Sequence, residues 1–189
     1  LTMNQEILTY QKHMNLKLAA NELGIAWQSL YVRLKKAGVP VSGDKLRYGT
    51  DRDKLGAIGE SHFKALVPFA MSRNDYEYQS KYDFDVCGFK IDVKASRPHK
   101  LNQKYESLSW AFSFKKQTLV CDFICCFCMD EEKEIECVLL IPKEFFKGLK
   151  TITVSRNGDS KWKDYSINPS ELADFFSSLA ESEAVQPNF

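Results

Sequence analysis

The chain has 189 residues, 44% of them hydrophobic and 27% charged, and its net charge is +1. That balance excludes an intrinsically disordered chain and a uniformly basic surface, and no apolar run approaches the roughly 20 residues a membrane helix needs. The N-terminus lacks the basic-then-apolar pattern of a secretory signal, so a cytoplasmic protein without a membrane partner is expected. The length suits one ordinary domain and a small module. Any attraction to nucleic acid must then come from local charge. Such clusters exist: Arg33, Lys35, Lys36, Lys45, Arg47, Arg52 and Lys54 fall in one stretch, and Lys94, Arg97, His99, Lys100 and Lys104 in another.

In chain order, residues 4–13 predict a first helix and residues 15–25 a second, ended by Gly24 in the left-handed turn that favours glycine. Residues 27–37 predict a third, stopped by Gly38 and Pro40. Ala20 is small where two helices must touch, Leu23 points inward and Ile25 plugs the corner. Leu30 and Leu34 make the inner stripe of the third helix. At about 100° per residue, Gln28, Tyr31, Val32 and Lys35 fall on the opposite side, with Arg33 and Lys36 as neighbouring cations. Two short helices joined by a tight glycine turn form a helix-turn-helix, whose second helix presents such a face to the major groove. The stretch Leu23 to Lys36 resembles the helix-turn-helix of the Fis and resolvase type. That likeness implies a DNA-binding module over 1–40, with Gln28, Tyr31, Arg33, Lys35 and Lys36 on the DNA; a hairpin that merely packs on the next domain is the alternative.

Residues 41–52 have the Pro, Gly and charge content of a linker. A helix is predicted over 53–67, with Leu55, Ile58, Gly59, Phe63, Leu66 and Val67 as its apolar stripe and Pro68 at its end. Strands follow at 81–86, 89–95, 107–114, 120–129 and 135–141, with another near 151–155 and a helix near 169–180. Residues 181–189 read as a flexible tail. Leu108, Trp110, Phe112 and Phe114 alternate with small residues, as on a strand with a bulky buried face. Five of the six cysteines lie between Cys121 and Cys137. Cys125 and Cys128 have zinc-knuckle spacing, but the run alternates like a strand and no second pair follows, so buried, reduced thiols are expected.

The chemistry concentrates in Lys81 to Lys94, which alternates between apolar and charged residues. Cys87-Gly88 sits where a two-residue hairpin turn belongs. Folding there pairs Val86 with Phe89, Asp85 with Lys90, Phe84 with Ile91 and Asp83 with Asp92. Opposed residues share a face. One face becomes Tyr82, Phe84, Val86, Phe89, Ile91 and Val93; the other carries Asp83, Asp85, Asp92 and Lys94. Two opposed carboxylates repel, and a divalent cation turns that liability into a site. Lys94 could orient or deprotonate an attacking water, or neutralise charge in a transition state at phosphorus.

An acid, roughly ten residues, then acid-any-Lys on the next strand resembles the PD-(D/E)XK nuclease superfamily, here as Asp83 and Asp92-Val93-Lys94. The proline that usually precedes the first acid is replaced by Tyr82, which leaves Asp83 and Asp85 as alternatives, register favouring Asp83. The resemblance, over residues 53–141, implies an α+β or α/β fold with a restriction-endonuclease-like mixed sheet flanked by helices, over 53–180. It implies Mg²⁺, for which Mn²⁺ could substitute, held by Asp83, Asp92 and Glu60 of the upstream helix, with Lys94 completing the catalytic set. The expected activity is hydrolysis of double-stranded DNA by a homodimer of the homing or restriction type, without a small-molecule cofactor. A non-catalytic DNA-binding regulator on a nuclease-like scaffold and a Holliday junction resolvase are the rivals. His62 reads as a core histidine, His99 as a phosphate contact or a plain loop residue, and Ser96 as a hydrogen-bonding neighbour of the site.

Overall fold

The computed structural model describes residues 2–73, 81–104, 106–114 and 120–184. The chain divides into two compact units, one over Leu1–Lys54 and one over Leu55–Ser72 with Lys81–Phe189. Among the described residues no helix is long and apolar enough to cross a membrane.

The first unit begins with helices α1 (Met3–His13), α2 (Leu16–Leu23) and α3 (Trp27–Lys36). Thr2 and Gln5 form a reciprocal capping box on α1, which satisfies two amides that a helix start otherwise leaves unpaired. Asn15 accepts from the amides of Lys17 and Leu18 to start α2, and Gly24 ends it at φ 65°. Tyr10, Ala19, Ala20, Leu30 and Leu34 form a buried core, as the helical spacing predicts. Beneath α3, Glu6 is only 2% exposed and is paired with Arg33.

Residues 41–52 are not a free linker. Val39 and Val41 pack against the small core, the Ser42 amide donates to the Tyr10 hydroxyl at 3.0 Å, and Asn15 donates to Asp44 at 2.8 Å. Asp44 then caps a four-residue helix, α4 (Lys45–Tyr48). The next helix, α5 (Asp51–Leu66), starts two residues earlier than expected because Thr50 and Asp53 bond reciprocally around its first turn. Asp, Thr and Gly serve caps as well as linkers, so composition alone misread this segment.

The second unit is an α+β fold built on a five-stranded mixed sheet. Its strands are β1 (Met71–Ser72), β2 (Phe84–Val86), β3 (Phe89–Ser96), β6 (Phe123–Met129) and β7 (Ile135–Pro142), in that spatial order. A second sheet has the order β4 (His99–Lys100), β5 (Leu108–Ser113) and β8 (Thr151–Ser155). The β2–β3 hairpin turns at Cys87 and Gly88, both at positive φ, and pairs Val86 with Phe89, Asp85 with Lys90 and Phe84 with Ile91. Strand β6 runs parallel to β3, setting Asp92 beside Ile124 and Lys94 beside Cys126. It is buried on both faces, which is why its sequence is an unbroken apolar run. Cys125, Phe127 and Met129 enter one core with Phe63, Phe84 and Phe176; Ile124, Cys126 and Cys128 enter the other with Trp110, Phe112 and Trp162. Trp110 also donates its indole N–H to the Met129 carbonyl at 2.8 Å.

Several expectations are corrected in detail. Tyr82 does not share the Phe84 core face but packs against the Trp110 core, because β2 starts only at Phe84 and strict alternation does not extend to residue 82. Strand β6 starts at Phe123 rather than 120. The last helix, α7 (Leu172–Ala184), follows a 3₁₀ turn, Pro169–Glu171, and continues through residues expected to be tail; 185–189 lie outside the described residues. The short helix α6 (Lys143–Phe146) and the 3₁₀ turn Lys161–Tyr165 carry no long periodic signal that would have announced them.

Candidate active site

The polar side of the β2–β3 hairpin is organised by the backbone of β3. The Asp83 amide donates to the Ile91 carbonyl at 2.9 Å, continuing the ladder one step beyond β2. Its side chain then turns in, and Asp83 Oδ2 accepts from the Val93 amide at 2.7 Å. On β3, Asp92 is 7% exposed, and Lys94 Nζ stands 2.6 Å from Asp92 Oδ2. Asp85 is engaged elsewhere: the Tyr82 hydroxyl donates to it at 3.0 Å. The geometry therefore brings Asp83, Asp92 and Lys94 together and leaves Asp85 one step toward the turn.

The electrostatics follow from that crowding. Burial first, then the charges of Asp92 and Glu60, push the Asp83 carboxyl up to about 8, against the pull of the Val93 amide and Lys94. Burial draws Lys94 down, but the ion pair with Asp92 and the charge of Asp83 outweigh it and leave its ammonium above the ordinary lysine value. Lys94 is thus a fixed cation at neutral pH. Nearby thiols stay protonated: burial, ahead of the Asp92 charge, pushes Cys121 up to about 12, and burial raises Cys126 well above the ordinary range.

Glu60 reaches this cluster from α5. The residue before it explains how: a Cβ on Gly59 would lie 3.0 Å from Ala95 Cβ and 3.6 Å from Val93 Cγ1. Glycine lets the helix sit close on the face of β3 that carries Val93 and Ala95. Asp92 and Lys94 alternate to the other face, and the charge of Glu60 acts on Asp83 together with that of Asp92. Gly59→Ala should lose at least the gain that better helix propensity would bring, because Ala95 must give way to the new methyl. Gly56→Ala, whose Cβ would meet nothing within 4 Å, should instead gain about 0.5–1 kcal/mol. Urea unfolding distinguishes the two, and an equal gain for both would deny the close approach.

Among the described residues no group of three or more His, Cys, Asp or Glu side chains is arranged to cage a metal ion. The donor set nevertheless suits Mg²⁺. That ion takes one or two carboxylates and fills its remaining positions with water and substrate phosphate, and Asp83 and Asp92 supply two oxygen donors whose mutual repulsion a divalent charge would relieve. His62 lies against the Phe127 ring, centroids 6.0 Å apart, as a packing residue. Ser96 is buried and accepts from the Ala111 amide at 3.1 Å, joining β3 to β5. His99 is exposed on β4. Sequence reasoning missed the Val93 amide, which has no side-chain signature; it put Gly59 on the packed stripe of its helix but did not foresee its close approach to Ala95.

In the first unit, Gln28, Tyr31, Val32, Lys35 and Lys36 are all exposed on α3, and Trp27, not singled out by sequence, joins them at 47% exposure. Arg33 differs, being committed to the buried carboxylate of Glu6.

No family model matches this chain, and no curated protein matches it. Among solved structures, one of a bacterial homing endonuclease is similar to it, covering 70% of this chain and 96% of that one at 16% identity and a TM-score of 0.47. The chemistry of the site is therefore read from its own side chains.

Proposed function

We propose that the chain is a Mg²⁺-dependent DNA endonuclease whose active site is Asp83, Asp92 and Lys94, with Glu60 as an auxiliary acid. The observation that carries this reading is the largely buried Asp92–Lys94 ion pair at 2.6 Å beside a carboxyl held near 8. A structural surface would avoid such crowding, whereas perturbed titration of this kind gathers at functional sites. Asp83 and Asp92 would hold the ion, and when bound it supplies positive charge at the scissile phosphate. Lys94, kept cationic by its neighbours, neutralises charge growing on the phosphate in the transition state. The Val93 amide fixes the Asp83 carboxylate, and the close seat of α5 at Gly59 fixes Glu60.

The α3 face is the proposed reader of duplex DNA. Gln28, Tyr31 and Lys35 would contact base edges, and Lys36 the backbone. Because one chain carries one such site, cutting both strands calls for a homodimer. A small reader coupled to one hydrolytic site suits a homing or restriction enzyme acting on intracellular DNA. After incubation of a randomised duplex library in Mg²⁺, sequenced ends should share a flanking motif for the wild type. Replacing Gln28, Tyr31 and Lys35 by Ala should erase that motif, at about 1–3 kcal/mol per true base contact, while cleavage at saturating DNA persists. Arg33→Ala should act differently, destabilising the helical unit by about 1 kcal/mol, because it removes the partner of the buried Glu6 carboxylate while Arg33 itself is half exposed and solvent-screened. An unchanged motif from the triple variant would remove α3 from recognition.

A further inference from the structure

Strands β6 and β7 place two cysteines face to face. Cys128 and Cys137 are direct partners in the antiparallel register, beside an irregularity between Cys128 and Met129. Opposed residues of such a pair share a face, and both thiols pack in the Trp110 core. Directly opposed strand residues stand about 4.5–5.5 Å apart at Cα, within the range a disulfide spans. The two differ in access: Cys128 is fully buried, and Cys137 is half-buried at the rim. The surroundings of Cys137 are those of a reactive thiol. Ser166 Oγ lies 3.7 Å from its sulfur, and the charge of Lys163 favours its thiolate, against burial and the charge of Glu136. Lys163 is held there by its own bonds to the Arg156 and Gly158 carbonyls.

We propose that Cys137 and Cys128 are a redox pair, in which Cys137 attacks small-molecule disulfides and Cys128 resolves the adduct into an intrachain disulfide. The proposal does not depend on the nuclease reading. With glutathione disulfide, the Cys137 thiolate attacks one sulfur, the S–S bond breaks and one glutathione thiolate leaves. The Cys128 thiol then passes its proton to the departing second glutathione as its sulfur attacks the Cys137 sulfur. The protein loses two protons and two electrons, and one glutathione disulfide takes them up to become two glutathiones. The hydrogen bond from Cys128 to the Cys137 sulfur, ahead of every other influence, lowers the Cys137 thiol to about 6, and donating that bond raises Cys128. This division of labour is what an attacking and a resolving thiol require.

The test uses the full chain carrying Cys87→Ser, which removes the exposed thiol of the β2–β3 turn. Treated with glutathione disulfide at neutral pH, it should lose two mass units, with a Cys128–Cys137 cross-link in the peptide map and no retained glutathione. Adding Cys128→Ala should trap glutathione on Cys137 as a stable adduct. Adding Cys137→Ser should abolish both products. A stable glutathione adduct at Cys137 in the Cys87→Ser chain would overturn the resolving role, and no reaction at Cys137 would overturn the pair altogether. Both of those readings come from the Cys87→Ser chain, so they stand even if a core variant fails to fold.

Discussion

Mn²⁺ added to the wild-type protein should raise its melting temperature, and the rise should grow as the pH is taken from about 6 to about 8. The reason lies in Asp83. Its carboxyl titrates near 3.8 when unperturbed, but burial and the charges of Asp92 and Glu60 raise it to about 8 in the fold. Protonated Asp83 is therefore what the fold favours. The stability contributed by that proton is fully present below about 3.8 and is lost as the pH climbs to about 8, with a limiting slope of about 1.4 kcal/mol per pH unit for one proton. A divalent cation needs the ionised carboxylate, so it must displace the proton and binds more tightly as the pH approaches 8. At a concentration 100 times its dissociation constant it would add about 2.7 kcal/mol. Asp83→Asn should flatten the pH slope of the ion-free protein and remove the Mn²⁺ shift together. If the Asn variant keeps the wild-type shift, the ion does not sit on Asp83.

Much of this site was legible because it lies in a hairpin. Strict alternation and a Cys-Gly turn fix the β2–β3 register, and register decides which side chains share a face. That logic placed Asp83, Asp92 and Lys94 together, and the observed pairs from Val86–Phe89 to Phe84–Ile91 follow it. It failed at Tyr82, beyond the end of the strand, where the chain is no longer bound to a period of two. The helical unit was legible for a parallel reason: Ala20, Leu30 and Leu34 are buried where the 3.6 period puts them. Arg33 escaped it, since nothing in a helical wheel says that one cation must answer Glu6, 27 residues away. The segment 41–52 misled because capping turns and linkers use the same residues. Strands as short as β1 and β4, two residues each, are set by tertiary pairing and leave no periodic trace.

The energetic character of the site was the least legible part. Sequence put two acids opposite one another, but not that the Val93 amide holds Asp83, nor that burial makes its carboxyl behave unlike a surface aspartate. Those facts distinguish the proposed active-site cluster from a charged strand edge, and they set the expected behaviour of Lys94. A surface lysine can be replaced with a change usually within about 0.5 kcal/mol of stability and no other consequence. Lys94 is partly buried and paired at 2.6 Å, so its removal takes a cation away from Asp92 beside Asp83. Lys94→Ala should still fold and bind DNA, and added Mn²⁺ should restore much of the stability lost.

Single-turnover cleavage of a bound DNA target in Mg²⁺ tests the assignment most directly, comparing the wild type with Lys94→Ala, Asp92→Asn and Asp85→Asn. Loss of a positioned charge-stabilising or acid–base group typically costs a factor of roughly a hundred or more. Lys94→Ala should fall by that much with DNA affinity nearly intact, Asp92→Asn should lose cleavage and Mn²⁺ stabilisation together, and Asp85→Asn should change least. Cleavage by Lys94→Ala at the wild-type rate would contradict the placement of the active site on this hairpin.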